Sequence, residues 1–403
     1  MFGELSVGGA RLGRTMNVLY LERLAELRGA APQRSLDARA LAALAANPGC
    51  RRRALLDAAG VDKAAVASRL GRPAPFGQSP FAISRGNLFE ARLKEDGFAA
   101  LLGPLRARFG LPPEGGPAPV VPDLLRRATP AVRVERTREV LARAAAEEQA
   151  WTLLDHPMLR LTVAGGPAYL EPDLLVVHGG RCTVVEIKSF PVLDGAADPA
   201  KVGAAARQAA VYVLALQQTA AELAGVPASA DPYAVQELPG SPESSVLLAC
   251  PKDFSNRPTV SVVDVRRELA TTRRQLARLT RVEELLAALP PGTTFDLAVD
   301  DSGAPTRPAE ELAAAVETVE AAYSPDCISA CELGFHCREQ ARCAGAVEQL
   351  GRGVRGELGA IGTVDEALAA AAGAAGEGVE ADAARRLAYA AALRAEALTG
   401  AAE

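Results

Sequence analysis

Apolar and polar residues follow a helical spacing through the first part of the chain. The pattern runs over about 36–70 and is interrupted at 47–49 by an Asn-Pro-Gly sequence, which predicts that one helix ends just before Cys50. Further helices are expected over about 86–102 and 135–151, separated by segments rich in Gly and Pro. The first part of the chain is therefore predicted to be mainly helical.

The pattern changes at Met158. Short segments rich in Leu, Val and Ile are separated by Gly-containing turns, which predicts consecutive β-strands in MLRLTV, AYLEPDLLVVH and CTVVEIKSF. Helical spacing returns over 199–223, two more strands are expected in SSVLLACPK and TVSVVDV, and a basic helix begins near Arg266. This order predicts an α/β fold with a largely contiguous strand meander and flanking helices.

A chain of 403 residues exceeds the usual size of a single domain, so we expect one substantial core with appended modules. The predicted organisation is a helical region over 1–80 that carries Cys50, an α/β core over 81–270, a segment with the basic helix and a cysteine group over 271–345, and an Ala-rich helical region over 346–403.

Charge and hydropathy narrow the class of protein. The formal net charge is -5, so the whole molecule lacks the basic signature of a nucleic-acid binder, and any DNA contact must use a local patch. Such patches are Arg51–Arg53, Arg126–Arg127 and the run from Arg266 through Arg281, although runs of this kind are usually solvated helix faces. No apolar run is long enough to cross a bilayer, so we expect a cytoplasmic protein without membrane association.

Three charged residues interrupt the apolar strand segments. Asp173 precedes one strand, and Glu186 and Lys188 stand two apart near the end of the next, so they project from the same face of the sheet, where Asp173 can meet them. Two carboxylates on a mostly buried sheet repel each other, and a hard divalent cation such as Mg²⁺ or Mn²⁺ offsets that cost. The alternative is structural: Asp173 caps a turn while Glu186 and Lys188 form an edge-strand ion pair.

Two helices add polar residues that bear on the same chemistry. Gln208 and Tyr212 are four apart on the helix that follows the Glu-x-Lys strand, and they share one face of it. Glu90 lies one turn inside an earlier helix, in RGNLFE. Taken singly, a polar helix face beside an aromatic core contact explains Gln208 and Tyr212 equally well.

The order Gly-x3-Glu, Asp, Glu-x-Lys and Gln-x3-Tyr resembles the RecB-type branch of the PD-(D/E)xK nuclease superfamily, over about residues 84–265. The resemblance implies a restriction-endonuclease-like core, in which a central mixed sheet is flanked by helices, with helical iron-sulfur and C-terminal extensions. The family often has His where Glu90 stands, and a carboxylate at that position can also bind a metal.

The resemblance also implies roles for individual residues. Lys188 is the expected catalytic lysine, and Gln208 and Tyr212 are expected to support the site and contact nucleic acid. The expected ligands of Mg²⁺ or Mn²⁺ are Glu90, Asp173, Glu186 and Ile187.

Four of the seven cysteines, Cys327, Cys331, Cys337 and Cys343, fall within one short segment. A tight cysteine group in a reducing compartment indicates metal or cluster ligands, with Zn²⁺ as the default, although the usual Cys-x2-Cys hooks are absent. Cys50, far upstream, offers a further thiolate. His336 is expected at the surface rather than among the ligands.

The cysteine spacing is similar to that of the iron-sulfur subclass of RecB-type nucleases, which includes the AddB nuclease domain and the CRISPR-associated adaptation nucleases. In that subclass one cysteine precedes the nuclease core and three follow it. The resemblance implies a [4Fe-4S] cluster, with zinc as the alternative, held by Cys50, Cys327, Cys331 and Cys337. Cys343 is then surplus.

The expected function is a metal-dependent DNA nuclease, acting on single strands or DNA ends in repair, recombination or defence against foreign DNA. No G-x4-G-K-[ST] helicase signature is present, so unwinding requires a partner such as a helicase or another defence or repair protein. The alternative is a catalytically silent nuclease-fold protein that binds DNA or loads a partner. The segment LGAIGT, at 358–363, indicates either a hairpin that grips a DNA backbone or a plain helix C-cap.

Overall fold

The computed structural model describes residues 20–74, 80–112, 118–147, 150–163, 166–227, 240–255, 257–278 and 282–400. Within these ranges, no helix combines the length and the apolar character needed to cross a membrane.

Helices make up most of the regular structure. The predicted helix boundary before Cys50 is confirmed, since one helix ends at Ala46 and the next begins at Arg51. The helices and their bounds are α1 Ala38–Ala46, α2 Arg51–Ala59, α3 Lys63–Arg69, α4 Pro80–Arg108, α5 Pro130–Ala146, α6 Pro199–Leu223, α7 Arg266–Arg278, α8 Val282–Ala287, α9 Ala309–Glu317, α10 Cys327–Ala330, α11 Gly334–Cys343, α12 Arg352–Glu357, α13 Val364–Ala371 and α14 Ala381–Gly400.

The strands form a five-stranded mixed sheet and a separate hairpin. The sheet has the order β1-β4-β5-β6-β7, and β2 pairs only with β3 among the described strands. Their bounds are β1 Thr152–Asp155, β2 Leu159–Val163, β3 Gly166–Leu170, β4 Leu174–His178, β5 Arg181–Ile187, β6 Ser245–Pro251 and β7 Pro258–Asp264. The α/β class predicted from the sequence is confirmed as a mixed sheet flanked by helices.

The prediction of a largely contiguous meander is wrong in two places. The segment read as one strand, AYLEPDLLVVH, is two strands that belong to different sheets, because the chain breaks at Glu171-Pro172-Asp173 and Pro172 has no N–H to donate to a ladder. In addition, β6 pairs with β5 in parallel, and α6 makes the crossover that a parallel pair requires.

The chain divides into two compact units. One comprises 34–48 and 77–283 and contains both sheets. The other comprises 1–33, 49–76 and 284–403 and contains α2, α3 and α9 through α14, and the boundary between the units falls within α8.

In the unit that contains the sheets, α4 packs against one face of the five-stranded sheet. Phe89, Leu93 and Leu101 of α4 are buried against alternate residues of β4, β5 and β6. The helix is interrupted at 95–98, where the backbone leaves helical geometry. This interruption divides α4 into a first part that carries Glu90 and a second part that continues the apolar contact.

Along each strand, the residues that alternate with those facing α4 point to the opposite face of the sheet. There α6 contacts β5 and β6, with α1 and α7 packed against it. Asp198 caps α6 by accepting hydrogen bonds from the N–H groups of Ala200 and Lys201, and Pro199 stands at the first helical position. Because helices cover both faces, β4 and β5 are almost fully buried, and a charged residue on either strand is costly unless it is paired.

Candidate functional site

Asp173 lies between the break at Pro172 and the start of β4, and its backbone and side chain are both held. Its carboxylate Oδ2 accepts a hydrogen bond of 2.8 Å from the N–H of Ile187 at the end of β5. Its carbonyl oxygen accepts one of 3.2 Å from the N–H of His156, just after β1. The carboxylate is thereby held at the edge of the sheet where β5 ends.

Glu186 is the most unusual residue of the sheet. It lies within β5, only 1% of it is exposed, and within the described part of the chain no group other than Lys188 pairs with its carboxylate oxygens. Lys188, one residue beyond the strand, forms an ion pair with Glu186 Oε1, and its Nζ lies 4.0 Å from Asp173 Oδ2. The three charged groups predicted to converge are therefore neighbours.

Burial dominates the ionisation of this trio. It raises the pKa of Glu186 to about 7, with the positive charge of Lys188 opposing the rise and the negative charge of Asp173 adding to it. Burial likewise raises the pKa of Asp173, against the charge of Lys188. For Lys188, burial works against the charged form, but Glu186 and Asp173 outweigh it and raise its pKa. Two crowded carboxylates with one ammonium leave an excess of negative charge.

Glu90, on α4, is tied to the loop after β1. Its Oε1 lies 2.6 Å from Nε2 of His156 and also forms an ion pair with Lys94, one turn along the helix. The hydrogen bond from His156 is the main reason that the pKa of Glu90 falls to about 2, with Lys94 adding to the effect and burial opposing it. Glu90 and His156 also lie within electrostatic reach of Asp173, so the helix contributes to the same charged region.

Gln208 and Tyr212 contact the turn that carries Asp173. The Gln208 amide donates to the Tyr212 hydroxyl at 3.0 Å, and that hydroxyl donates to the carbonyl oxygen of Glu171 at 3.2 Å. Tyr212 is only 3% exposed, whereas Gln208 is half-buried. In this geometry Tyr212 supports the turn from beneath it.

Several residues of the site were missed from the sequence. His156 donates its backbone N–H to Asp173 and binds Glu90 through its ring. Lys94 forms ion pairs with Glu90 and, at 2.8 Å, with Asp155. The buried Arg133 of α5 forms an ion pair of 3.0 Å with Glu171. The one local signal was LLDHP, an Asp-His-Pro sequence that ends an apolar strand. The backbone of His156 adopts a left-handed conformation with φ of 48°, which is uncommon outside glycine.

The donor set fits a hard divalent cation. Glu186 offers two buried oxygens, of which only Oε1 is paired among the described residues, by Lys188. Asp173 and Glu90 offer further carboxylate oxygens, and Ile187 can contribute only its carbonyl. Across the described residues, no three side chains of His, Cys, Asp or Glu already enclose a metal position.

The other compact unit brings together the four predicted cysteine ligands. Cys50 is the N-cap residue of α2, Cys327 begins α10, Cys331 follows it, and Cys337 lies in α11. Cys337 is within electrostatic reach of Cys50, Cys327 and Cys331. Cys343 lies exposed at the end of α11.

Burial keeps two of these thiols protonated, while arginines favour their thiolates. It raises the pKa of Cys331 to about 12 and that of Cys337 to about 11, with Arg53 and Arg52, respectively, opposing the rise. Arg52 donates from Nη1 to the sulfur of Cys337 at 3.2 Å. The positive charge of these guanidinium groups favours the thiolate forms of Cys331 and Cys337, which are the forms that bind a metal ion.

The structure corrects two expectations about the helical unit and decides a third point. Arg52 and Arg53 are each 4% exposed, so they cannot form a DNA-binding patch, although Arg51 is exposed. His336 was expected at the surface and is buried. At 358–363 the structure agrees with the helix C-cap interpretation, because Leu358 is the C-cap residue of α12 and Gly359 follows it with a left-handed φ of 55°. Thr363 then begins α13 with a capping box that Glu366 completes.

The remaining predicted basic patches differ in exposure. Arg266 and Arg274 of α7 are exposed, Arg126 pairs with Asp155 at 3.5 Å, and Arg281 lies outside the described residues. Part of the α7 surface is therefore still a candidate for contact with an anionic polymer.

Comparisons with models of known protein families, with curated proteins and with solved structures gave no match.

Proposed function

We propose that the chain is a metal-dependent nuclease that hydrolyses phosphodiester bonds in DNA. The observation that carries the proposal is Glu186: a carboxylate 1% exposed, with Oε1 paired only with Lys188, Oε2 without a partner among the described residues, and Asp173 close by. A buried carboxylate oxygen without a hydrogen-bond donor is costly, and the ion pair with Lys188 leaves that cost at Oε2 in place. A divalent cation between the carboxylates would remove the penalty.

The residues that would hold Mg²⁺ or Mn²⁺ are Glu186, Asp173, Glu90 and the carbonyl of Ile187. When bound, such a cation acidifies water and neutralises charge that develops on a scissile phosphate. The hydrogen bond from Ile187 N–H leaves one oxygen of Asp173 committed to the backbone and orients the other. His156 and Lys94 keep Glu90 ionised and therefore ready to act as a ligand.

Lys188 is the proposed catalytic residue. Its raised pKa keeps it protonated, and it lies beside both carboxylates with part of its side chain exposed. In that position its ammonium group can orient a water molecule and stabilise negative charge on the phosphoryl oxygens in the transition state. The half-buried Gln208 offers an amide near the same turn, while Tyr212 acts through the carbonyl of Glu171.

The RecB-type PD-(D/E)xK assignment belongs to the same proposal. Three features support it: a five-stranded mixed sheet with helices on both faces, a Glu-x-Lys sequence at the end of a central strand, and a Gln-x3-Tyr pair on the crossover helix that touches the turn before Asp173. His156, just after β1, brings an imidazole next to Glu90, which stands at the helix position where the family often has histidine.

The cysteine group is proposed to hold a [4Fe-4S] cluster, with zinc as the alternative. Cys50→Ser should remove the broad absorption near about 400 nm expected for thiolate-bound clusters and should lower stability, since Cys50 joins α2 to a segment far along the chain. The exposed Cys343→Ser is the matched control and should do neither. Colourless protein with stoichiometric zinc would replace the iron-sulfur assignment.

The proposed substrate is single-stranded DNA or a DNA end, with any unwinding left to a helicase or another repair or defence protein. A cleavage assay tests the function. Full-length protein should cut labelled single-stranded DNA with Mg²⁺ or Mn²⁺ and be inactive in a chelator. Lys188→Ala should lower kcat by at least about 100-fold while DNA affinity changes little, because the ammonium acts mainly in the transition state.

The matched control is Lys252→Ala, which removes an exposed lysine at the end of the neighbouring strand β6. It should retain kcat and lose affinity at most. If Lys188→Ala cleaves as fast as Lys252→Ala, the assignment of the active site fails. If the wild type binds DNA tightly without cutting it under any metal, the protein is a silent nuclease-fold binder instead.

A further inference from the structure

Arg52 and Arg53 follow Cys50 on α2, and both are buried. A guanidinium group keeps its charge at any pH that a folded protein meets, so burial of one is costly unless an opposite charge lies beside it. The two arginines differ in how that charge is matched.

Arg53 belongs to a balanced group of charges. Its Nε lies 3.0 Å from Oδ2 of the buried Asp57, which also pairs with Lys63, and Glu332 lies 4.0 Å from Arg53 and 3.9 Å from Lys63. Two cations face two carboxylates. The charge of Arg53 is therefore neutralised within the protein, whatever the cysteines hold.

Arg52 has no such carboxylate among its described side-chain partners. Its Nε donates to the carbonyl of Val319 at 3.0 Å, and its Nη1 donates to the amide oxygen of Gln340 at 2.8 Å and to the sulfur of Cys337 at 3.2 Å. The first two acceptors are neutral. Among these described partners, only Cys337 can carry a full negative charge, and it does so only as a thiolate.

We infer that Arg52 is the internal counter-ion of a thiolate-bound centre, and that its N–H···S bond to Cys337 raises the reduction potential of a [4Fe-4S] cluster there. The inference rests on the proposed cluster. A cluster with four thiolates carries net negative charge, and reduction adds another electron to it. A fixed positive charge and a hydrogen bond to a ligand sulfur both favour the reduced form.

The arrangement also accounts for the basic run next to Cys50. Arg51 is exposed and pairs with Glu320 at 3.2 Å. Arg53 also hydrogen-bonds Cys331, but Asp57 and Glu332 match its charge, whereas Arg52 meets its predicted ligand, Cys337, with no carboxylate among its described side-chain partners. Three consecutive residues of one type thus have three different roles. Arg51 provides a control for Arg52 on the neighbouring position of the same helix.

The test compares the anaerobically reconstituted full-length chain with Arg52→Gln, Arg52→Lys and Arg51→Gln. Iron and sulfide content is measured first, and then the midpoint potential by redox titration. Arg52→Gln should shift the reduction equilibrium at least about tenfold towards the oxidised form, which is about 59 mV for a one-electron couple. Arg52→Lys should recover part of that shift, because it restores the charge without the planar donor geometry. Arg51→Gln should stay within about twofold of wild type.

A purely structural role for Arg52 gives a different result. Arg52→Gln would then lose part of the cluster, while the retained fraction would titrate at the wild-type potential, and that outcome overturns the inference. If Arg52→Gln does not load at all, Arg52→Lys decides: an unchanged potential in that variant, together with an unchanged one in Arg51→Gln, also overturns it.

The same preparations separate this inference from the proposed nuclease. A normal cluster with the Arg52 shift but no DNA cleavage in Mg²⁺ refutes the nuclease and leaves the counter-ion role standing. Cleavage by a protein that never binds iron, or that binds only zinc, refutes the redox role of Arg52 and leaves the nuclease standing.

Discussion

Glu90 Oε1 and His156 Nε2 lie 2.6 Å apart, so a helix and the residue just after the first strand of the sheet share one hydrogen bond at the candidate site. The N–H of the same histidine donates to the carbonyl of Asp173. One residue therefore positions two of the proposed metal ligands, one through its ring and the other through its backbone.

The left-handed backbone of His156 gives the first prediction. His156→Gly and His156→Ala both remove the imidazole, but only alanine must also adopt φ of 48° with a Cβ. The alanine variant should therefore be less stable than the glycine variant by about 1 kcal/mol. Chemical unfolding of both variants in a chelator measures the difference, and equal stabilities would show that the turn relaxes without the ring.

Glu186 gives a prediction about pH. Burial raises its pKa from an ordinary value of 4.5 to about 7 in the fold, so between these values the folded state holds a proton that the unfolded state has lost. Stability without metal should therefore fall as pH rises from about 4.5 to about 7, by about 3 kcal/mol. Glu186→Gln should abolish that dependence and be the more stable protein at pH 7.

Urea unfolding across this pH range, in a chelator, checks the prediction, with the exposed Glu283→Gln as the control for a lost carboxylate. Adding Mn²⁺ should then stabilise the wild type and the control, but not Glu186→Gln. A wild-type curve that is flat between pH 4.5 and 7 would mean that Glu186 is already compensated in the metal-free protein.

Gly334 gives a prediction about the cysteine group that leaves every thiol in place. A Cβ at this position would lie 2.6 Å from the carbonyl oxygen of Cys327, so α10 and α11 can approach each other only because the residue is glycine. Gly334→Ala should lower the metal content of purified protein and its unfolding midpoint. Gly353→Ala in α12 is the control, since a Cβ added there would meet no atom within 4 Å. Full metal loading of Gly334→Ala would show that the two helices need not approach so closely.

DNA binding through α7 gives the fourth prediction. Arg267 and Arg274 are exposed on this helix, so replacing both with Glu should weaken binding to single-stranded DNA and reduce the slope of affinity against salt concentration. Arg394→Glu on α14 reverses an exposed charge in the other compact unit and is the control. Filter binding at several salt concentrations compares them, and an unchanged slope in the α7 variant would identify its arginines as solvated.

Much of the fold could be predicted where the signals are local. The bounds of α6 matched the expected 199–223 because Asp198 and Pro199 mark its start and helical spacing continues to Leu223. The parallel pairing of β5 with β6 could not be predicted from the sequence, because a long helix separates the two strands along the chain. The break at Pro172 was missed because the apolar pattern on both sides of it reads as one strand.

The candidate site divides in the same way. Asp173, Glu186 and Lys188 could be grouped because period-two alternation and one strand pairing suffice to bring them together. The contact between Glu90 and His156 joins residues 66 positions apart and leaves no trace in either local sequence. In the sequence, Arg52 looks like part of a solvated basic run. Only the structure shows that it is buried, with hydrogen bonds to Val319 and Gln340.

The hydrogen bond from the Ile187 amide to Asp173 turns a backbone group into a spectroscopic reporter. The chemical shift of an amide proton responds to the charge of the carboxylate that accepts it, so the Ile187 signal should move when Asp173 gains a proton or a cation. Occupancy of the metal position can then be followed by titration in a catalytically dead variant, with no substrate present. A single resonance would report the state of the site separately from what the site does.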